Sequence, residues 1–209
     1  MAVTGPADEI DHIVVDHGVI REDFTEQWLG WRHWRSWGRS WVHGRTIRIV
    51  VTAPRLSDVD VSGSGRLDLG RLAQDRLDLG LSGSGEVSVS GAIRIVDVHV
   101  SGSGGARLTG LSAGRLDAGV SGSGWVAASG AAESLRLSIS GSGSGDFSGL
   151  NLQDLQASLS GSGSAKAAPR RSADIGVSGS GSVRLLTQPT HLVTHRSGSG
   201  RIIQANGGG

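Results

Sequence analysis

The stretch WLGWRHWRSWGRSW, Trp28 to Trp41, holds five of the chain's six tryptophans and threads Arg32, Arg35 and Arg39 between them. An indole offers a broad apolar face and a single N–H donor, and a neighbouring guanidinium adds a planar cation. Trp28, Trp31, Trp34, Trp37 and Trp41, with Arg32 and Arg35, therefore suit stacking on sugar rings or seating at a membrane interface. The same rings also suit a cap that shields the open end of a sheet from edge pairing, and a disordered segment is the third reading. Alanine at Trp31, Trp34 and Trp37 separates the first two: a cap loses thermal stability, whereas a ligand site loses binding alone.

A second group is regular where the first is dense. Asp58, Asp78, Asp97 and Asp117 each stand four residues before a copy of SGSG, and Arg136, Gln156 and Asp174 hold the same place further on. If successive copies stack, these carboxylates lie about 5 Å apart and repel by roughly 1 to 3 kcal/mol per pair at surface dielectrics. Arg76 and Arg115, two residues before Asp78 and Asp117 on the same face, are the expected partners. Calcium bridging of the four aspartates is the sharper alternative. It fits loosely, because GSGRLD (Gly63 to Asp68) carries one aspartate where calcium-binding rolls repeat theirs every nine residues. Neighbouring carboxylates also suggest acid and base groups for cleaving polysaccharides. Nothing in these uniform coils shapes a cleft, so no catalytic residue and no cofactor is assigned.

Other chemistry is thin. His191 and His195 share a strand face but stand about 13 Å apart at strand rise, too far for one metal; His12 and His17 do not share one. GSGSGDF (Gly141 to Phe147) superficially matches a phosphate loop, yet no helix follows it. The serine columns have the period of an ice-binding array, but threonine is scarce in them.

What must position these groups is the repeat itself. SGSG begins at Ser62, Ser82, Ser101, Ser121, Ser140, Ser160, Ser178 and Ser197, at spacings of 18 to 20 residues. In DVDVSGSGRLDL, Asp58 to Leu69, the odd positions are Val, Val, Gly, Gly, Leu and Leu; the even ones are Asp, Asp, Ser, Ser, Arg and Asp. Period two means a strand with one buried face. Both glycines are thus expected in the inward column and the serines in an outward ladder, bonded coil to coil. Strands that recur in one direction cannot be joined by hairpins. The fold class expected is all-β, a single-stranded parallel β-helix of 18 to 20 residues per coil, right-handed by the general preference for right-handed crossovers. The other half of each coil reads as shorter and looser, pinned by one anchor such as Leu72, Ile93 or Leu111. Arg196 breaks the inward apolar column, so the stack is expected to close or fray there. The domains read as a Trp/Arg-rich segment over 1–45, a cap or a partly disordered stretch, and the β-helix over 46–209.

Composition limits the partners. With 35 glycines but plentiful Val, Leu and Ile in 209 residues, the chain has apolar material for a core that a disordered linker lacks. A formal net charge of +1 gives no argument for nucleic acid. The absence of cysteine excludes disulfides, thiolate catalysis and CxxC zinc sites. No run is long enough for a membrane span, and the first residues show no signal peptide.

VVTAPRLSDVDVSGSG (Val50 to Gly65), the recurring SGSG preceded by alternating aliphatic residues, and the late THRSGSGRI resemble the bacterial envelope family described as putative auto-transporter adhesin, head GIN domain, over roughly residues 45–203. The resemblance implies a β-helical fold, a place in the cell envelope or outside the cell, and adhesion rather than catalysis. Family members usually carry a signal peptide and more strands ahead of the APRL segment, so this front reads as truncated. The expected function is non-enzymatic, adhesin-like binding of a surface glycan or protein through regular faces. The alternative is a self-associating scaffold of the envelope, which would make the chain a homo-oligomer.

Overall fold

The computed structural model describes residues 56–205, together with the backbone of four short strands before them. The chain divides into two compact units, Met1–Pro54 and Arg55–Gly209. In the first, β1 (Ala2–Thr4) pairs antiparallel with β4 (Arg48–Val50), and β2 (Ile13–Asp16) pairs antiparallel with β3 (Val19–Glu22). The tryptophan cluster, Trp28 to Trp41, lies outside the described residues.

The second unit is a parallel solenoid. Its strands are β5 (Asp58–Gly63), β6 (Arg66–Gly83), β7 (Glu86–Gly102), β8 (Gly105–Gly122), β9 (Trp125–Gly141), β10 (Ser144–Gly161) and β11 (Ser164–Gly179), closed by β12 (Ser182–Leu185), β13 (His191–Ser197) and β14 (Arg201–Gln204). Each pairs parallel with its equivalent one coil on, and the first serine of every SGSG stacks on the next, from Ser62↔Ser82 to Ser178↔Ser197. Alternation puts the aliphatic side chains inside: Leu81, Val100, Val120, Ile139, Leu159 and Val177 form one column, each no more than 2% exposed. Among the described residues no polar or charged side chain is buried, so the lumen is held by apolar burial alone, roughly 1.5 to 3 kcal/mol for each Val, Leu or Ile removed from water.

The glycines divide their work, which corrects the expectation that both face inward. The second glycine of the motif, such as Gly104 or Gly143, is buried over the preceding coil; the first is not in the inward column. At the first glycine φ lies between +96° and +112° in all eight copies. Side chains rarely adopt that conformation, and it is what turns the strand through a corner. The ladder continues around it: the Gly63 carbonyl accepts from the Ser84 and Gly85 N–H groups, both at 2.9 Å, and later coils repeat the pattern. Parity along a sequence counts positions and cannot register a dihedral change, so the corner was hidden.

The remainder of each coil is strand as well, not a loose connection. A bulge lies near Leu69–Leu72 and at the equivalent points above, and positive φ at Gly91 and Gly130 makes a second corner. The anchors do fall inside: Ile93 is fully buried, Leu111 is 2% exposed, and Leu72 packs against the core. The expected serine ladder is sparser than read, since among the described residues the only hydroxyl rung is Ser62 to Ser82, at 3.1 Å.

The last coil ends the stack as its sequence suggests. Arg196 stands on Val177, where every coil below has an aliphatic residue, and all of β13 is exposed. Exposed Leu186, Leu192, Val193 and Ile203 make this end the part of the described surface best suited to adding another strand. A charge in the inward column of an edge strand opposes such pairing. Arg196→Val is therefore expected to raise the light-scattering mass as protein concentration increases, beyond any rise in the parent chain. An unchanged mass would show that the edge is protected by something other than Arg196.

Candidate functional site

The aspartate ladder forms in the expected register: Asp58 pairs with Asp78, Asp78 with Asp97, Asp97 with Asp117, and Asp117 with Arg136. The column lies outward because the neighbouring positions, such as Leu77 and Leu79, are drawn into the lumen. Arg76 reaches across two coils. Its Nε and Nη2 donate to the two Asp78 carboxylate oxygens at 2.8 and 2.9 Å, and Nη2 also donates to Asp97 at 2.7 Å. Arg115 donates to Asp117 at 2.8 Å. Both arginines expected as partners are in place.

This pairing sets the protonation of the ladder unevenly. Arg76 holds the Asp78 carboxyl below the usual carboxylate range, chiefly through its hydrogen bonds. Asp97 goes the other way: burial pushes its carboxyl up, and the carboxyls of Asp78 and Asp117 on either side add to the rise. The Oδ1 atom of Asp117 is buried without a hydrogen-bond partner. Beside the ladder, Asp60 leans across Gly80, where any Cβ would overlap its carboxylate. Asp58, Asp60, Arg76, Asp78, Asp97 and His99 together line a shallow open concavity. Among the described residues no three His, Asp or Glu side chains converge in a geometry that would hold a metal ion. His191 and His195 lie exposed on β13.

Another ion pair stands apart from the ladder. Asp154 accepts from Arg171 Nε at 2.8 Å and from the Ser172 hydroxyl at 2.6 Å, and these bonds, Arg171 first, hold its carboxyl down to about 2. A carboxylate whose folded value lies below its unfolded one stabilises the fold above the unfolded value, near pH 4, and loses that contribution as pH falls through the folded one. Arg171→Ala is expected to lower Tm at neutral pH, with the gap from the parent closing as pH approaches 2. A gap that persists at pH 2 would mean the arginine acts by packing instead.

Sequence reading missed the sixth tryptophan. Trp125 opens β9 in an outward position, paired with Gly105 one coil below and Ser144 one coil above. A Cβ on Gly105 would overlap the indole, so the ring lies in the space that glycine leaves, and Gly105 is buried although its position faces outward. The Arg107 guanidinium stands 5.1 Å from the ring centroid. Glu86, on the same face, pairs with Arg66 and approaches Arg107 at 3.5 Å. The available signal was a glycine 20 residues before a tryptophan in a chain whose coils are 18 to 20 residues long.

A stack of parallel coils turned at the first glycine of each SGSG, with polar groups confined to its outer columns, defines the class as a β-solenoid. The family model described as "Putative auto-transporter adhesin, head GIN domain" matches residues 19–128 and 92–189. The chain belongs to that family. Two solved structures share the fold. One is described as a putative adhesin from Bacteroides fragilis, with 20% identity, TM-score 0.67, and coverage of 97% of this chain and 81% of the other. The second is described as a putative lipid binding protein from Parabacteroides distasonis, with 18% identity, TM-score 0.79, and coverage of 98% and 83%. No curated protein matches the sequence.

Proposed function

We propose that this chain is a non-enzymatic, adhesin-like protein of the bacterial cell envelope or exterior, which binds a surface glycan or protein through its regular outer faces. The observation that carries this reading is the outer columns themselves. They are held in register by a stack of parallel coils, so their polar and charged groups are presented at fixed intervals of about 4.8 Å with little ordering left to do on binding. The Asp78, Asp97 and Asp117 carboxylates are engaged by Arg76 and Arg115, which suits a binding face better than a pair of acid and base groups. Family membership supports adhesion, and no described helix is long and apolar enough to cross a membrane.

The test is binding of fluorescently labelled full chain to intact bacterial and host cells. Saturable binding that unlabelled chain displaces is expected. Binding that rises linearly and resists displacement would overturn the reading. Polymers of the parent chain in light scattering, without cell binding, would favour the scaffold instead.

A further inference from the structure

We infer that Trp125, seated on Gly105 and flanked by Arg107 and Glu86, is a stacking platform for a pyranose sugar. This rests on the reading of the chain as a surface binder and names a site and a ligand class for it.

Trp125 departs from its column. The equivalent outward positions carry Arg66, Glu86, Gly105, Ser144, Ser164, Ser182 and Arg201, all polar or lacking a side chain. A large apolar ring in that company costs solvation without adding to the lumen, and the coil below gives up its own side chain to seat it. The indole is thereby laid against the sheet and kept from the many rotamers an exposed tryptophan would sample, so little freedom remains to be lost on binding. Arg107 fixes the ring from one side through its cation–π contact. Its guanidinium also lies 3.5 Å from the Glu86 carboxylate, which Arg66 engages, so charged donors and acceptors adjoin the Arg107 side of the ring. Ser144 and Ser164, both exposed, continue the column upward as a low hydroxyl-bearing floor. An apolar plate beside fixed donors and acceptors matches a pyranose, which has one C–H face and a rim of hydroxyls. A lipid chain would use the apolar plate and none of the charged groups beside it.

The experiment is saturation-transfer NMR on the full chain with a panel of neutral and uronic-acid oligosaccharides of gluco and galacto configuration. At least one is expected to bind, and Trp125→Ala is expected to weaken it about tenfold, the size of one aromatic stacking contact. Trp125→Phe should retain part of the affinity. Gly105→Ala provides an independent variant, because it removes no functional group and only pushes the indole from its seat; it too should weaken binding. Silence across the panel would overturn the inference while leaving cell binding to stand or fall separately. Sugar binding undiminished in both Trp125→Ala and Gly105→Ala would overturn it as well, and would place the sugar elsewhere on the chain.

Discussion

Alanine at Gly141 is expected to destabilise the solenoid by about 2 to 6 kcal/mol, a large share of the roughly 5 to 15 kcal/mol that holds an ordinary domain together. Two separate costs combine. The residue sits at φ +110°, which an L side chain rarely adopts, and the new Cβ would lie 2.6 Å from the Gly122 carbonyl oxygen of the coil below. That neighbour is backbone within a ladder and cannot step aside. The first coil supplies the controls. Gly63 has φ +96° and, among the described residues, no atom within 4 Å of its would-be Cβ, so Gly63→Ala should show only the dihedral cost, about 1 to 3 kcal/mol. Gly65 meets neither obstacle among the described residues, and Gly65→Ala should be close to neutral. Denaturant midpoints would check the order: Gly141 worst, Gly63 intermediate, Gly65 near the parent. Equal losses at all three would mean that the corners are not packed coil on coil.

The second large effect is expected at Phe147, which is fully buried and has the largest side chain of the lumen. It fits because its surroundings are small: Ala167 pairs with it on the coil above, and Gly145, two residues before it, would bring a Cβ to 2.8 Å from the ring. Phe147→Ala should cost about 3 to 5 kcal/mol, since neighbours tied into ladders collapse poorly around a cavity. Each coil of a solenoid touches only the coils next to it, so the damage should be local. Hydrogen exchange is expected to rise in β9, β10 and β11 before it rises in β6 and β7. Uniform acceleration along the chain would indicate a single cooperative unit and contradict the picture of independent floors.

Much of this architecture is visible in the bare sequence, for a definite reason. Val59, Val61, Leu67 and Leu69 alternate with charged residues, and period two admits one buried face and one register; a shift by one residue would turn every aspartate of the ladder inward. The same constraint made the Asp58 to Asp117 column and its Arg76 and Arg115 partners legible, because stacked like charges demand a cation within reach. What escaped was of two kinds. The positive φ of the first glycines, and the corners at Gly91 and Gly130, are dihedral facts that an inward-outward count cannot carry. Trp125 escaped because its seat, Gly105, is distant along the chain and adjacent only across coils, while the denser cluster at Trp28 to Trp41 drew the functional reading to residues outside the described solenoid.

The register itself is open to a direct chemical measurement, since the chain has no cysteine of its own. Ser121 and Ser140 face each other on adjacent coils, with Ser160 one coil further. A disulfide needs Cα atoms about 4.4 to 6.8 Å apart, a span that one coil spacing of about 4.8 Å satisfies and two do not. Under mild oxidation, Ser121→Cys with Ser140→Cys should cross-link rapidly within one chain, and Ser121→Cys with Ser160→Cys should stay reduced. Rapid closure of the second pair and not the first would contradict the parallel, in-register stack on which every column described above depends.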